Sequence, residues 1–584
     1  MAESNHKVSK DYELDLKKND FSRETKPLGI SQGGTIFIND KTFTSSINIG
    51  KEIKYQRVEI SNCFFRNIQN KNKGESIIYI KESDFIIRDS EFEGCSTIFS
   101  NFQNTSHCLY LDTKTNSSCN ISNCKFINNG IPKGSLKTKT KQPQSTILYS
   151  RTTSNIQIEQ SKFHNDEEIL SLGLKFEESG RVEILSSVFT NIESAVIIKQ
   201  SNISDIIDCT FDGNRIDENF HNTYSNTNTN EYLFSSLYLK YQEHFTFINN
   251  TIKNHCQGFS LCFLKEELFT NNQEDSIFIQ ECTFCNNKCN NYQEGGSIGL
   301  IIKNNVGDNF SPIQNIEFYK CRFINNGDRN KDSISGVYRH SSETETIIFN
   351  KCLFQSNEGH SKTSLLDIEN CKTLHIEDSL IELDDESGFL KFSSGICKGK
   401  KDISILTSTF NNKNKNKAET LANLISIDQT SKTNLVDKLN IIGCTFNNIS
   451  MKKEQFIFNV NINSLEFTDN KVFISPNSKN NNPFHFKNAK MSHIFINSCY
   501  LNNSIISLSS TKAGETIIQD IEYTNEPAKP DNTIFVSTTD RFTCENCKFI
   551  YNQEHSTSSC RAILIKGSSS AEISNSIFQN CWGP

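Results

Sequence analysis

Short apolar stretches recur along the chain in fixed phase with one small residue. VEISNCFFRNI, NISNCKFINNG, VEILSSVFTNI, IFIQECTFCNN, IEFYKCRFINNG and LNIIGCTFNNI all share the shape. Aligned on the small residue two before the Phe, nineteen copies fall at Lys41, Cys63, Ser90, Cys124, Ser161, Ser187, Cys209, Asn250, Cys282, Cys321, Cys352, Ser379, Ser408, Cys444, Asn470, Cys499, Ile521, Cys547 and Ser576. These anchors lie 22 to 41 residues apart and average just under 30. A repeat of that period is the signature of a solenoid.

Each column has a physical reading. Three residues before the anchor stands Ile in fourteen copies, Phe in four and Cys in one. Two residues after it stands Phe in fourteen copies and another apolar residue in the other five. Apolar residues at −5 and −3 alternate as the inner face of a strand does. The next inward positions, 0 and +2, arrive one residue late, and an unbroken strand cannot change face. The slip therefore predicts a corner between two short strands. Asp or Asn precedes the anchor in eleven copies, among them Asp89, Asp208, Asp378 and Asp520, and Asx residues tolerate left-handed backbone. A second polar stop follows the Phe, with Asn at +4 in twelve copies, as at Asn128, Asn325 and Asn448. The anchor itself is Cys in nine copies and Ser in six, read as a small residue where the corner brings backbone close to the Phe.

Between the motifs lie further strand-like runs such as SIIYI, STILY, AVIIK, SLLDI, GFLKF, NLISI and AILIK. One repeat thus supplies two or three short strands. Hairpin turns of fixed type after each strand are absent, and so is the leucine-rich pattern at its tighter period. A parallel coil accommodates the wide spread of spacing, because loops lengthen at one corner without disturbing register. The expectation is an all-β, single-stranded right-handed parallel β-helix, a pectin-lyase-like solenoid of about 19 coils over residues 30–584, preceded by a polar segment at 1–29.

Phe-x-x-Asn recurs in register at Phe126–Asn129, Phe211–Asn214, Phe284–Asn287, Phe323–Asn326, Phe354–Asn357 and Phe549–Asn552. Gly33-Gly34-Thr35-Ile36 and Gly295-Gly296-Ser297-Ile298 look like the Gly-Gly-Ala-Ile element that accompanies it. Together these resemble the repeat of polymorphic outer membrane proteins and of similar β-helix surface proteins in protozoan parasites. The resemblance implies a surface adhesin or passenger domain, with no catalytic residues to carry over and cell-surface proteins or glycans as partners.

Charge and composition narrow the choice. Sixty-one basic residues against 68 acidic ones leave a net charge of −7, too mild to imply nucleic acid or an anionic membrane. No apolar run reaches the length of a membrane-spanning helix, and Met1 to Asp20 shows no secretory leader, so location stays open. Forty-three Phe are too much apolar mass for a disordered chain.

Candidate chemistry is sparse. Of the 21 Cys, nine fill the anchor column as small buried residues. Cys282-x-x-Cys285 with Cys289, His255, Cys256 and Cys262 imitates a zinc site, yet Cys282 points inward while Cys285 stands one residue past the Phe. In Cys544-x-x-Cys547 both residues occupy inward columns. The densest carboxylates, Glu377, Asp378, Glu382, Asp384, Asp385 and Glu386, read as a solvated corner, as do Asp166-Glu167-Glu168. The sequons at Asn104, Asn116, Asn120, Asn202, Asn249, Asn448 and Asn502 are no more than chance gives in an Asn-rich chain. No catalytic, cofactor or metal-binding residues are assigned.

Insertions at 130–144, 214–231, 411–417, 475–483 and 525–532 read as solvated corner loops or as one recognition face. Met1 to Pro27 reads as a cap, whereas Trp582-Gly583-Pro584 follows the last motif with no polar segment. An uncovered last coil predicts end-to-end association or further chain. The favoured function is non-catalytic adhesion or surface recognition. The alternative is a lyase or glycoside hydrolase acting on a uronic-acid polymer at the outward strand face, to be told apart by carboxylates converging with Arg, His or Lys.

Overall fold

The computed structural model describes Thr35–Asn39, Thr42–Phe43, Ile47–Ile49 and residues 57–579. Within that last span the stretches 71–75, 98–105, 113–116, 133–144, 214–234, 256–258, 266–275, 288–297, 303–312, 328–334, 358–363, 384–387, 394–398, 413–422, 429–435, 526–534 and 552–562, and a few one- or two-residue positions, lie outside the described residues. So do the N-terminal segment, the glycines of both Gly-Gly elements and Trp582-Gly583-Pro584. Two compact units are present: residues 1–277 with 285–290 and 301–309, and residues 278–284 with 291–300 and 310–584.

Each unit is a parallel β-helix. In the first, Arg57–Ser61 pairs with Asp84–Arg88, then Ser118–Ser122, Asn155–Glu159 and Ser179–Leu185, every ladder parallel. Three-residue strands beginning with Phe64–Arg66, Glu91–Glu93 and Lys125–Ile127 form a second sheet. A third contains Ile78–Lys81, Ser106–Asp112, Ser145–Arg151 and Leu172–Glu177. The second unit repeats the plan, with Ile313–Tyr319, Thr344–Asn350, Cys371–Glu377 and Asp402–Leu406 in its first sheet. Pairing with the equivalent strand one coil on, rather than with the next strand in sequence, is what defines the coil.

The predicted columns point inward. Ile60, Ile87, Ile121, Ile158 and Ile184 stand in register and are buried. Phe65, Phe92, Phe126, Phe163, Phe189 and Phe211 stack ring on ring, with centroids 4.4, 4.8, 4.8, 4.7 and 4.9 Å apart. That spacing is the inter-strand distance itself, so strand pairing and ring stacking are satisfied together. In the second unit Phe410 and Phe446 stack at 4.8 Å, and Phe318 and Phe349 at 4.5 Å. Each buried Phe contributes about 2–3 kcal/mol of transfer free energy.

The corners are left-handed. In all eighteen described copies the residue before the anchor has positive φ, from Asn62 at 50° to Asn575 at 50°. This holds where the residue is not Asx, as at Gln160, Ser186, Glu281, Lys320, Lys351, Thr407 and Ser498, and at Gly443. The +4 corner is also left-handed at Asn67, Asn128, Asn191, Asn254, Asn286, Asn325 and Asn448.

The anchor has a role beyond small size. Its backbone N–H is met by the anchor side chain of the next coil: Cys63 N donates to Ser90 Oγ (3.1 Å), Cys124 N to Ser161 Oγ (3.2 Å), Cys209 N to Asn250 Oδ1 (2.7 Å) and Cys444 N to Asn470 Oδ1 (2.8 Å). Each serine anchor donates in turn to the carbonyl two residues before it, as Ser90 Oγ does to Arg88 O at 2.8 Å. Cysteine anchors do the same through S–H, with Cys63 Sγ 3.1 Å from Ser61 O. Crowding against Phe is therefore not what selects the anchor, since the larger Asn250, Asn470 and Ile521 are accommodated and buried. A hydrogen-bonding group is what the corner requires, and Ile521 is the exception. None of the described cysteines forms a disulfide, and burial pushes the Cys124 and Cys444 thiols up to about 12.

The Asn of Phe-x-x-Asn serves the second corner in the same way. Asn357 Nδ2 donates to Phe323 O at 2.8 Å, and its Oδ1 accepts from Asn326 N at 3.0 Å, with both residues fully buried. Asn129 makes the equivalent pair with Phe92 O and Cys95 N. Asn214 and Asn552 lie outside the described residues.

In the last described coil Ile573 and Phe578 keep the inward register of Cys544 and Phe549, yet they are 49% and 41% exposed.

Asn357→Leu keeps an apolar side chain of similar volume but strands the Asn326 amide and the Phe323 carbonyl in the interior. Urea unfolding followed by circular dichroism is expected to show a loss of about 2–4 kcal/mol, since each orphaned buried group costs about 1–3 kcal/mol. Ser186→Gly, at φ 47°, is expected to raise stability by about 0.5 kcal/mol, and Ser186→Val to lower it by more than about 1 kcal/mol in the same assay.

Candidate binding face

Outward positions of the first two sheets are occupied by groups that satisfy one another. Glu59 pairs with Arg57 (3.0 Å) and Arg88 (2.5 Å), and Arg181 pairs with Glu183 (2.7 Å) and Asp205 (3.1 Å). At the corners Asn123 donates to Asp89 (2.6 Å) and Asn249 to Asp208 (2.7 Å). In the second unit Lys438 meets Glu466 at 2.6 Å. The Glu59 side chain is only 6% exposed, whereas pairs with both partners exposed contribute at most about 1 kcal/mol each and mainly keep charged neighbours in register.

The candidate carboxylates do not assemble. Glu377 ends a strand of the first sheet, Glu382 lies in the second sheet, and Asp378 sits on the corner between them at φ 48°, accepting from Thr407 Oγ1. Asp384, Asp385 and Glu386 lie outside the described residues, as do Glu167 and Glu168. Asp166 is occupied with Asn128, whose Nδ2 donates to it at 2.7 Å. Among the described residues no three His, Cys, Asp or Glu are placed to hold a metal ion. Cys282 and Cys262 are buried and Cys285 half-buried, while His255 Nδ1 bonds Ser236 Oγ at 3.1 Å. Cys256 and Cys289 lie outside the described residues. Cys544 and Cys547 do meet, and the contact pushes the Cys547 thiol up.

Carboxylates do meet cations on the third sheet of each unit. In the second unit Arg339, Asp367 and Lys391 stand in register on successive coils, with Lys391 Nζ 3.6 Å from Asp367. The Asp367 side chain is only 3% exposed, and burial pushes its carboxyl up from the usual range. A carboxyl so enclosed is not presented to a polymer outside.

In the first unit the same sheet carries aromatic rings outward. Tyr79, Tyr110 and Tyr149 stand in register on consecutive coils and are followed by Lys175. Their strand neighbours Ile78, Ile80, Leu109, Leu111, Leu148 and Ser150 are buried, so alternation turns the tyrosines out. The rings lie 5.2 Å apart for Tyr79–Tyr110 and 5.1 Å for Tyr110–Tyr149, the latter pair stacked. His107 stacks on Tyr149 at 4.6 Å, and Lys175 Nζ lies 5.1 Å from the centre of the same ring. Further along, the column becomes Ile197, Tyr238 and Cys262, buried in one apolar cluster with Leu172, Phe259 and Leu264.

One carboxylate organises the end of the tyrosine column. Tyr149 Oη donates to Glu177 Oε2 at 2.6 Å, and Lys175 and Lys199 reach Glu177 Oε1 at 3.1 and 3.5 Å. Burial alone would raise the Glu177 carboxyl, but the Tyr149 hydroxyl and the two lysines outweigh it and hold it below the usual range. The Tyr149 phenol is pushed up, first by burial and then by the carboxylate it serves, so it stays a donor. Sequence reading missed this face because only the apolar positions of SIIYI and STILY were compared. The signal was present: SIIYIK, HCLYLD and TILYSR each place Tyr two residues before a charge.

His107 is lowered to about 3, by burial first and then by Lys175, with Glu177 opposing. The folded state therefore resists its protonation. Stability is full above the ordinary histidine value of 6.5 and falls as pH drops from there toward 3, by up to about 1.4 kcal/mol per pH unit. Urea midpoints between pH 7 and 4 are expected to fall less steeply in His107→Gln than in the parent chain.

No helix among the described residues is long and apolar enough to cross a membrane. No family model and no curated protein sequence matches the chain. Among solved structures the chain is similar to the Streptococcus pneumoniae surface protein and adhesin PfbA, at 10% identity and a TM-score of 0.22, over 91% of this chain and 92% of that one.

Proposed function

We propose that this chain is a non-catalytic recognition protein, of the adhesin kind, that engages a cell-surface protein or glycan through an outward strand face. The single observation that carries the reading is the column of Tyr79, Tyr110 and Tyr149 turned outward on consecutive coils. Rigid aromatic side chains supply large contact area at little conformational cost, which is why they concentrate in binding surfaces. A flat parallel sheet holds them at fixed spacing without needing a pocket. The repeat's likeness to polymorphic outer membrane proteins supports the same reading.

The test is saturable binding of the fluorescently labelled protein to cultured epithelial cells. The triple variant Tyr79→Ser/Tyr110→Ser/Tyr149→Ser is expected to bind at least ten-fold more weakly with an unchanged circular dichroism spectrum. Undiminished binding by the folded variant would remove the tyrosine face from the reading. Release of unsaturated or reducing ends from polygalacturonate by the parent chain would replace it with the enzymatic one.

A further inference from the structure

Resting on that reading, we infer that the tyrosine face of the first unit takes an acidic oligosaccharide running along the column, about one sugar ring to each coil. The rings define what they can attract. Tyr110 and Tyr149 are stacked 5.1 Å apart, and Tyr149 is further covered by His107 and by Lys175. Their faces are engaged by one another and the Tyr149 hydroxyl is given to Glu177, so a ligand meets ring edges. The edge of an aromatic ring is the positive end of its quadrupole and favours oxygen acceptors and anions over cations or greasy surfaces.

The flank has the same sign. Arg151 is exposed in the next outward position of the Tyr149 strand, and Lys175 and Lys199 share the single carboxylate of Glu177. Around the tyrosines the described residues thus place three cations against one carboxylate, on a chain whose net charge is −7. An anionic ligand rich in hydroxyl groups complements both the edges and the flank.

Spacing selects among such ligands. Successive binding positions repeat at the strand separation, about 4.8 Å. An extended acidic peptide advances about 3.3 Å per residue and turns alternate side chains away, so it falls out of phase within two coils. A pyranose in a linear chain advances by nearly the coil rise and offers a hydroxyl or carboxylate to each coil. Polar contacts made once per coil are individually weak, so affinity depends on several coils acting together.

Calorimetric titration with a galacturonate hexasaccharide and with its carboxyl-reduced, neutral counterpart tests the inference. The acidic hexamer is expected to bind at least ten-fold more tightly. That affinity is expected to fall by at least five-fold from 50 to 500 mM NaCl, and as much in Arg151→Gln/Lys175→Met. Tyr110→Ser is expected to weaken it similarly, and Tyr110→Phe, which preserves the ring, less. Equal affinity for both hexamers, or insensitivity to the two cations, would overturn the acidic-ligand inference. No binding of either hexamer, together with cell binding that still requires the tyrosines, would overturn it while leaving the recognition reading in place. Cell binding independent of the tyrosines would end both.

Discussion

A left-handed corner presents one backbone amide to a dry interior, and the rest of the coil is arranged around satisfying it. With positive φ before every described anchor, strand pairing meets the neighbouring amides: Asn123 N donates to Glu159 O, and Lys125 N to Ser90 O. The anchor amide between them finds no carbonyl in that ladder. It finds the Oγ, Oδ1 or Sγ of the anchor one coil on, as Cys352 N finds Ser379 Oγ at 3.1 Å. A buried amide left unmet would cost about as much as a buried Phe contributes. The Cys/Ser/Asn column is therefore a file of hydrogen-bonding side chains, each serving the coil before it. Mutual dependence of this kind ties neighbouring coils into one cooperative unit.

Much of this was legible in the sequence because a solenoid writes its geometry as a repeat. The Ile and Phe columns, the phase slip and the Asx corner all followed from alternation and its interruption. The corner also shows what was not legible. Gln160, Glu281, Lys320, Lys351 and Thr407 adopt the left-handed conformation without any local preference for it. At about 1–2 kcal/mol per residue, that preference is smaller than the ladder and core it would disrupt. Tertiary pairing decides, and propensity records only the majority. The role of the anchor was misread for a related reason: composition shows that a side chain is small, and coordinates show what it bonds.

The candidate face was harder to see, because outward columns repeat without being constrained by packing. Tyr79, Tyr110 and Tyr149 recur one per coil, as Phe92, Phe126 and Phe163 do, and both columns align at the strand separation. Inside, substituting one ring disturbs its neighbours above and below. Outside, the same sheet carries Lys175 and then Ile197 in the first unit, and Arg339, Asp367 and Lys391 in the second. A motif search keyed to the invariant interior passes over such a column. The outward residues become readable only after the third strand of each coil has been aligned by register.

This division of labour explains why the third sheet is the one that varies. The first and second sheets are joined by a two-residue corner, the left-handed residue and the anchor, fixed in length in every described copy, which leaves their outer positions close to that corner and laced by ion pairs and Asx bonds. The third sheet is entered and left through connections of very different length, including 98–105 before Ser106–Asp112 and 133–144 before Ser145–Arg151. Its outer face can accept a buried apolar cluster at Tyr238, an enclosed ion pair at Asp367 or an outward tyrosine column, with the corner amides satisfied in each case. Where the fold imposes least, side-chain chemistry is free to be set by a ligand, and the tyrosine column is the strongest such departure among the described residues.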